Sequence, residues 1–525
     1  MISTLPQLVD RTARQQPERK AIHFLQQSLS YGQLAQRTNC LANALISEGV
    51  KRHDRIGILM DKSLHTPVAM YGIMKAGAAY VPLDPSAPTE RLASILRDCN
   101  IRVLITDKGK IRKLQELREH GVSLDCLVGI DVGDDLSSRG MSWDTVFTED
   151  SNYVAGAKLI EKDLAYIIYT SGSTGIPKGI MHTHHSGMSF ARWAAAEYGL
   201  EPGDRISNHA PLHFDLSIFD FFASAVAGAS VVVIPEEYTK LPPSYSKLIA
   251  DQQVSVLFTV PFALIQLLLH GVLDDRDFSA LRWIIFGGEP FPTPHLRALM
   301  KKLPHVRFDN MYGPAEVNGC THCTVESLSQ SDESIPIGPI NDISDALVVN
   351  PEGEEVASGE SGELLIRGPT MMQGYWRRPD LNQCAFYRRR ATDSLDEVYY
   401  RTGDMVVQDP NGSFRFLGRK DRQIKVRGYR VELDEVESAL ASNDDVEESA
   451  AFAVPQKDGS QQIQVAVTLK DGKQNRDSDL FAYLKLRLPW YALPSELRVH
   501  EVFPRTTTGK IDRRKLQENS LAGKD

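Results

Sequence analysis

The sequence predicts an α/β protein, built as a large N-terminal α/β domain followed by a small α+β C-terminal domain. Three observations carry this. Strand-like and helix-like segments alternate through most of the chain, the mark of an α/β architecture. Past residue 424 the character changes to a basic stretch, a charged helical run and strands of period two. The chain has 525 residues, 42% of them hydrophobic and 24% charged, which is enough apolar material for more than one packed core at roughly 100 to 200 residues per domain.

The elements follow in order. Segment 55–60 reads as a strand, then a helical pattern runs to Met74, and 79–83 reads as a second strand. An apolar strand at 165–169 leads into a Gly-rich turn. Near the C-terminus a helix at 433–441 precedes apolar stretches at 450–454 and 463–469. In the latter Ile463, Val465, Val467 and Leu469 alternate with other residues, as in a half-buried strand. A helix at 480–486 and a stretch at 497–503 complete a unit of about 100 residues. The expected domains are 1–418 and 422–525, joined at 419–421. Segment 326–334, rich in Ser and acid, reads as an exposed loop.

Composition excludes several classes. With 59 basic and 68 acidic side chains, net -9, the chain has no global attraction for a polyanion, so nucleic acid is not an expected partner. The longest uncharged apolar run, 221–235, has 15 residues, fewer than the roughly 20 that cross a bilayer. The first residues lack the basic flank and apolar core of a signal peptide. A soluble cytoplasmic protein without membrane partners is expected. Six scattered cysteines suggest reduced thiols rather than a disulfide framework.

The sharpest local feature is Thr170-Ser171-Gly172-Ser173-Thr174-Gly175-Ile176-Pro177-Lys178-Gly179. Glycines let backbone amides turn toward an anion, while hydroxyls and a Lys add donors and charge. This suits phosphate. It departs from the Walker pattern, because Pro177 stands where that pattern has Gly and Lys178 precedes Gly179 rather than Ser or Thr. A flexible linker would not normally leave an apolar strand and end in Pro-Lys-Gly.

Further motifs follow: Tyr80-Val81-Pro82-Leu83-Asp84-Pro85, Asn310-Met311-Tyr312-Gly313-Pro314-Ala315-Glu316, Gly374-Tyr375-Trp376, Tyr400-Arg401-Thr402-Gly403-Asp404, Gly418-Arg419-Lys420-Asp421, the run from Val426 through Gly428 to Leu433, and Thr508-Gly509-Lys510-Ile511-Asp512-Arg513. Together with the loop, over essentially the whole chain, they resemble the adenylate-forming (AMP-binding) enzymes, the superfamily of acyl-CoA synthetases, luciferases and nonribosomal-peptide adenylation domains. The resemblance implies a large α/β domain capped by a small mobile one. It also implies ATP and Mg²⁺, and a reaction that joins a carboxylate to the α-phosphate and then passes the acyl group to a thiol.

The first step brings two anions together. At about 4 Å like charges repel by roughly 1 kcal/mol in water and more at lower dielectric, so a cation between them is required. The resemblance assigns this to Lys510; by its spacing alone Lys510 would be a solvated residue of a basic tail. It assigns the nucleotide to Thr170, Ser171, Gly172, Ser173, Thr174, Gly175, Lys178, Gly288, Glu289, Asn310, Met311, Tyr312, Asp404, Phe416 and Arg419. Asp404 suits ribose hydroxyls, and Tyr312 and Asn310 suit the adenine face and edge. Glu316 is the expected Mg²⁺ carboxylate. Ala315 departs from many relatives, which carry there a Thr whose hydroxyl meets the α-phosphate. The joint is expected at Asp421, and Gly428 beside the incoming thiol arm.

Asp215, in Phe214-Asp215-Leu216-Ser217, resembles the residue with which amino-acid-activating members hold a substrate ammonium; the alternative is an N-cap for the helix that follows. The implied pocket walls are Leu216, Phe219, Thr259, Ile285, Gly287, Met311, Gly319 and Cys320, none of them charged. A small apolar amino or imino acid is expected. Phrases at 213–217 and 312–318 resemble free-standing prolyl-carrier-protein ligases, which puts L-proline first and alanine or valine behind it. With no carrier motif in the chain, the acceptor is expected to be the phosphopantetheine of a separate carrier protein. Coenzyme A fits the alternative, an acyl-CoA ligase for a non-amino acid. Cys320-Thr321-His322-Cys323 lacks a second pair for structural zinc, and His182, His184 and His185 read as packing or substrate-proximal residues.

Overall fold

The computed structural model describes residues 2–131, 139–152, 158–172, 175–328, 334–456, 460–470, 473, 477–506 and 511–522. The chain forms a large α/β unit of Met1–Pro85, Leu96–Tyr169 and Gly179–Lys420, and a smaller one of Ser86–Ile95, Thr170–Lys178 and Asp421–Asp525.

One sheet of the large unit has eight strands in the order Thr321–Thr324, Arg307–Tyr312, Trp283–Gly287, Val256–Thr259, Arg205–Asn208, Ser230–Val233, Lys20–Phe24, Gln27–Ser30. Its middle strands are parallel. Trp283–Gly287 and Val256–Thr259 are buried throughout, as parallel strands covered on both faces must be. The edge strand Thr321–Thr324 returns antiparallel. In open sheets of this kind ligands gather at the carboxyl ends of the strands, here Thr259, Gly287 and Tyr312.

A second eight-stranded sheet contains Arg55–Leu59, Ala79–Pro82 and Leu164–Thr170, which match the strands expected at 55–60, 79–83 and 165–169 within a residue or so. The helix His65–Lys75 is buried along nearly all its length, so its Lys75 ammonium is satisfied internally, by Asp10 Oδ1 and Asn39 Oδ1 at 2.6 Å each. A third, five-stranded sheet pairs the long strand Leu395–Gln408 with Ser361–Arg367, Phe386–Thr392 and Phe414–Arg419.

In the smaller unit a hairpin of Gln423–Val426 and Tyr429–Glu432 leads to the helix Leu433–Ala441. A three-stranded sheet of Val446–Pro455, Gln461–Leu469 and Glu496–Val499 follows, with helices Asp477–Lys485 and Arg513–Ala522. The stretch expected at 497–503 is a strand only to Val499. Its ladder partner is Gln464 to Val467, and Phe503 packs instead with Leu516. Of the expected loop 326–334, the described residues form no helix or strand, and 329–333 lie outside them. Among the described residues no helix is long and apolar enough to cross a membrane.

Candidate functional site

Asp404 sits on the strand Leu395–Gln408, 5% exposed, opposite Arg419 in the neighbouring strand. Arg419 Nη1 donates to its carboxylate at 2.7 Å and to the Thr402 carbonyl at 3.0 Å. The Tyr312 hydroxyl donates to the other carboxylate oxygen. Burial and the Asp404 charge push the Tyr312 phenol well above its ordinary value, so it remains a donor. The Asp404 N–H donates to Thr402 Oγ1 at 3.0 Å. Tyr312, Asp404 and Arg419 are thus brought together, and Phe416 packs against the same hydrophobic cluster as Tyr312. Asn310, on the same strand as Tyr312, donates its amide to the Pro336 carbonyl at 2.8 Å.

Glu316 follows in a tight turn. A Cβ on Gly313 would lie 1.6 Å from the Asn318 carbonyl oxygen, so only glycine fits there. Glu316 is fully buried and accepts from the Tyr375 hydroxyl at 2.7 Å. Among the described residues no three His, Cys, Asp or Glu cluster as a metal site. One carboxylate fits Mg²⁺ where phosphate oxygens and water complete the shell. At position 315 the backbone is used: the Ala315 carbonyl accepts from His182 Nε2 at 2.8 Å. Burial lowers His182 to about 4, so it is neutral, and it stacks on Tyr166 at 5.0 Å. His184 is also buried and lowered to about 4. The Cys320 thiol donates to the Tyr312 carbonyl and the Cys323 thiol to the Thr324 carbonyl.

In the Gly-rich loop, Thr170 ends its strand with Oγ1 buried and no partner among the described residues. The Gly175 N–H donates to the Gly172 carbonyl at 2.9 Å. A Cβ on Gly172 would meet the Ile176 carbonyl oxygen at 2.1 Å. Lys178 opens the following strand, and Ser171 Oγ donates to the Arg430 carbonyl at 3.1 Å. Ser173, Thr174 and Lys510 lie outside the described residues.

Asp215 precedes the short helix Leu216–Ile218, but its backbone is already helical, at φ -62° and ψ -25°, and its side chain makes no capping bond. Its charge helps to raise the Tyr166 phenol, after burial and against an Asn318 bond, so it lies near that ring. Phe219, Ile285 and Met311 share one buried cluster, with Leu216 packed against it. Thr259 and Cys320 are fully buried, Cys320 in a second cluster. A Cβ on Gly287 would lie 2.2 Å from the Met311 carbonyl oxygen, and one on Gly319 would lie 2.6 Å from Met311 Sδ. Gly288 is exposed at φ +90°, and Glu289 Oε1 accepts from the Phe262 N–H at 2.9 Å, at the start of Pro261–His270. An open groove of about 840 Å³, bordered by Asn382, Cys384, Tyr387 and Arg401, shares no residue with this set.

Asp421 Oδ1 accepts from the Gln423 N–H at 3.2 Å. Gly428, at φ +82°, forms a two-residue hairpin turn with Arg427 at φ +52°. Three supporting residues were not singled out from the sequence: Tyr375, Thr402 and Glu363, whose Oε1 accepts from the Gly403 N–H at 3.2 Å. The first two stand inside quoted motifs; Glu363 carried no signal.

The family model of the AMP-binding enzymes matches residues 9–376, and that of the AMP-binding enzyme C-terminal domain matches 435–510. The chain is 34% identical to an L-proline–(L-prolyl-carrier protein) ligase of Pseudomonas fluorescens over 502 residues, 95% of either chain. It is 33% identical to tyrocidine synthase 2 of Brevibacillus parabrevis, covering 98% of this chain but 14% of that one. The amide bond synthetase McbA of Marinactinospora thermotolerans shares the fold, with a TM-score of 0.86 at 22% identity over 98% of this chain and 99% of that one.

Proposed function

The chain belongs to the AMP-binding enzymes, and from that premise we propose that it activates a small amino or imino acid, L-proline first, as the aminoacyl adenylate. The aminoacyl group then passes to the phosphopantetheine thiol of a separate carrier protein. The observation that carries the amino-acid reading is Asp215, a carboxylate that does not cap its helix and stands beside an apolar cluster near Tyr166. A substrate ammonium can donate charge-assisted hydrogen bonds to a half-buried carboxylate of this kind. Similarity to a prolyl-carrier-protein ligase over 95% of both chains supports proline and a carrier partner.

In this reading Asp404, braced by Arg419 and Tyr312, receives the ribose hydroxyls, and the Tyr312 ring supports adenine. Lys510 bridges carboxylate and α-phosphate. Glu316 would hold Mg²⁺, which supplies charge neutralisation when bound. Asp421 serves as the joint between the two half-reactions, and Gly428 leaves room for the thiol arm. The six cysteines are free, in keeping with a cytoplasmic setting.

The experiment is ATP–pyrophosphate exchange with the standard amino acids and with acetate, butyrate, octanoate and benzoate, followed by carrier loading. Exchange with proline or another small apolar amino acid is expected. Exchange confined to the unaminated acids overturns the amino-acid reading in favour of an acyl-CoA ligase. In the same assay Asp421→Pro is expected to retain exchange and lose loading, because Pro restricts the φ rotation a joint needs; undiminished loading removes the role given to Asp421.

A further inference from the structure

The Cys320-Thr321-His322-Cys323 stretch contains a histidine with a use of its own. Thr321–Thr324 pairs antiparallel with Arg307–Tyr312, and the register sets His322 opposite Met311 and Thr324 opposite Asp309. Directly opposed residues share a face of the sheet, so these four side chains lie on one side. There Asp309 is fully buried and is contacted by the Tyr198 hydroxyl at 3.0 Å, the Thr324 hydroxyl at 2.8 Å and His322 Nδ1 at 3.3 Å. The other ring nitrogen, Nε2, lies 3.7 Å from Glu197 Oε1, at the end of the helix His184–Glu197. Trp193 of that helix sets its ring edge-on to the imidazole at 5.5 Å. His322 therefore ties an edge strand both to its neighbour and to the helix packed beneath them.

We propose that His322 is a positioning residue for the nucleotide: as a cation between Asp309 and Glu197 it holds the edge strand against Arg307–Tyr312, and so places Asn310 and Tyr312 for the adenine ring. This rests on the nucleotide site proposed above. The hydrogen bond to Asp309 raises the imidazole above its ordinary 6.5 against the opposing effect of burial, and the charges of Asp309, Glu197 and Asp342 add to it. Acidic groups face it from three elements among the described residues: Asp309 from the adjacent strand, Glu197 from the helix and Asp342 from the segment after the edge strand. The sign follows. The cation is fully present below about 6.5 and is lost as pH rises through the raised value. Deprotonation leaves Asp309 its two hydroxyl donors but removes the charge that faces Glu197.

The test is AMP binding to the full chain, measured calorimetrically from about pH 6 to about pH 9. AMP is expected to bind roughly tenfold more weakly at the alkaline end, near the low end of ordinary coupling between linked sites. His322→Gln is expected to bind weakly at every pH, with a flat profile. Glu197→Gln, whose parent side chain is partly exposed, is expected to shift the midpoint to lower pH. A wild-type Kd that does not change with pH, or an alkaline limb that survives in His322→Gln, overturns the proposal while the nucleotide site stands. If His322→Gln does not fold, Glu197→Gln decides: an unmoved midpoint overturns it. Failure of the wild type to bind AMP at any pH overturns both readings.

Discussion

Burial sorts the cysteines more sharply than spacing does. Cys40, Cys99, Cys126 and Cys320 are buried, Cys323 is half-buried and Cys384 is exposed. Burial pushes Cys99 up to about 12 and Cys126 to about 11, and moves Cys40, Cys320 and Cys323 in the same direction. Because the thiolate is the nucleophile, those thiols are expected to be inert in the native state. Treatment with iodoacetamide near pH 8 should label Cys384 first, with all six reacting only after denaturation, read by peptide mass spectrometry. Native labelling of Cys320 as fast as Cys384 would contradict its burial. The same contrast separates the histidines: His182 and His184 are buried and lowered, whereas His322 is held by a carboxylate and raised.

At the scale of elements, the turn between Arg307–Tyr312 and Thr321–Thr324 is the tightest part of the candidate site. Gly313→Ala would place its Cβ 1.6 Å from a backbone oxygen, which no side-chain rotation relieves. The expected cost is at least about 3 kcal/mol, the upper end for overpacked sites. Gly203→Ala, where the added atom meets nothing within 4 Å, is the control and should stay within about 0.5 kcal/mol. Chemical denaturation of both variants checks this; equal stabilities would mean that the turn relaxes. The helix after Asp215 shows where periodicity misleads. Its pattern reads as continuous, but Phe219–Ala223 is a π-turn, which places Asp220 in full burial beside Asn208 Nδ2 at 2.9 Å.

Across the whole molecule, three carboxylates hold arginines in both units. Arg52 meets Asp163 at 2.5 Å, Arg282 meets Asp204 at 2.6 Å, and Glu437 joins Arg422 at 2.7 Å and Arg513 at 2.9 Å. In each case burial opposes ionisation, and the hydrogen bonds from the arginine and backbone together outweigh it, so the carboxyl lies below its ordinary value of 3.8 for Asp or 4.5 for Glu. A carboxyl depressed on folding contributes stability above its unfolded value and loses it as pH falls through the folded one. Thermal stability is therefore expected to hold down to about pH 5 and to decline below about pH 4.5. Calorimetry across that range checks it, and Asp204→Asn should weaken the dependence. An unchanged melting temperature down to about pH 3 would contradict these pairings.

The sequence by itself determined the fold class, the family and the short motifs that bring Asp404, Tyr312, Arg419 and Glu316 into the candidate site. Those features are local: a glycine turn beside a carboxylate, or a hydroxyl-rich loop after an apolar strand, is legible in consecutive residues because backbone conformation depends on near neighbours. Only the tertiary structure decided the partners. Tyr375 reaches Glu316 across 59 residues, and Tyr198 reaches Asp309 across 111. Gly287 is constrained by the carbonyl of Met311 in the adjacent strand, and Asp215 ceases to be a helix cap because the chain is already helical there. Such contacts depend on the order and register of strands that packing brings together from distant parts of the chain, and residue spacing carries no record of that order.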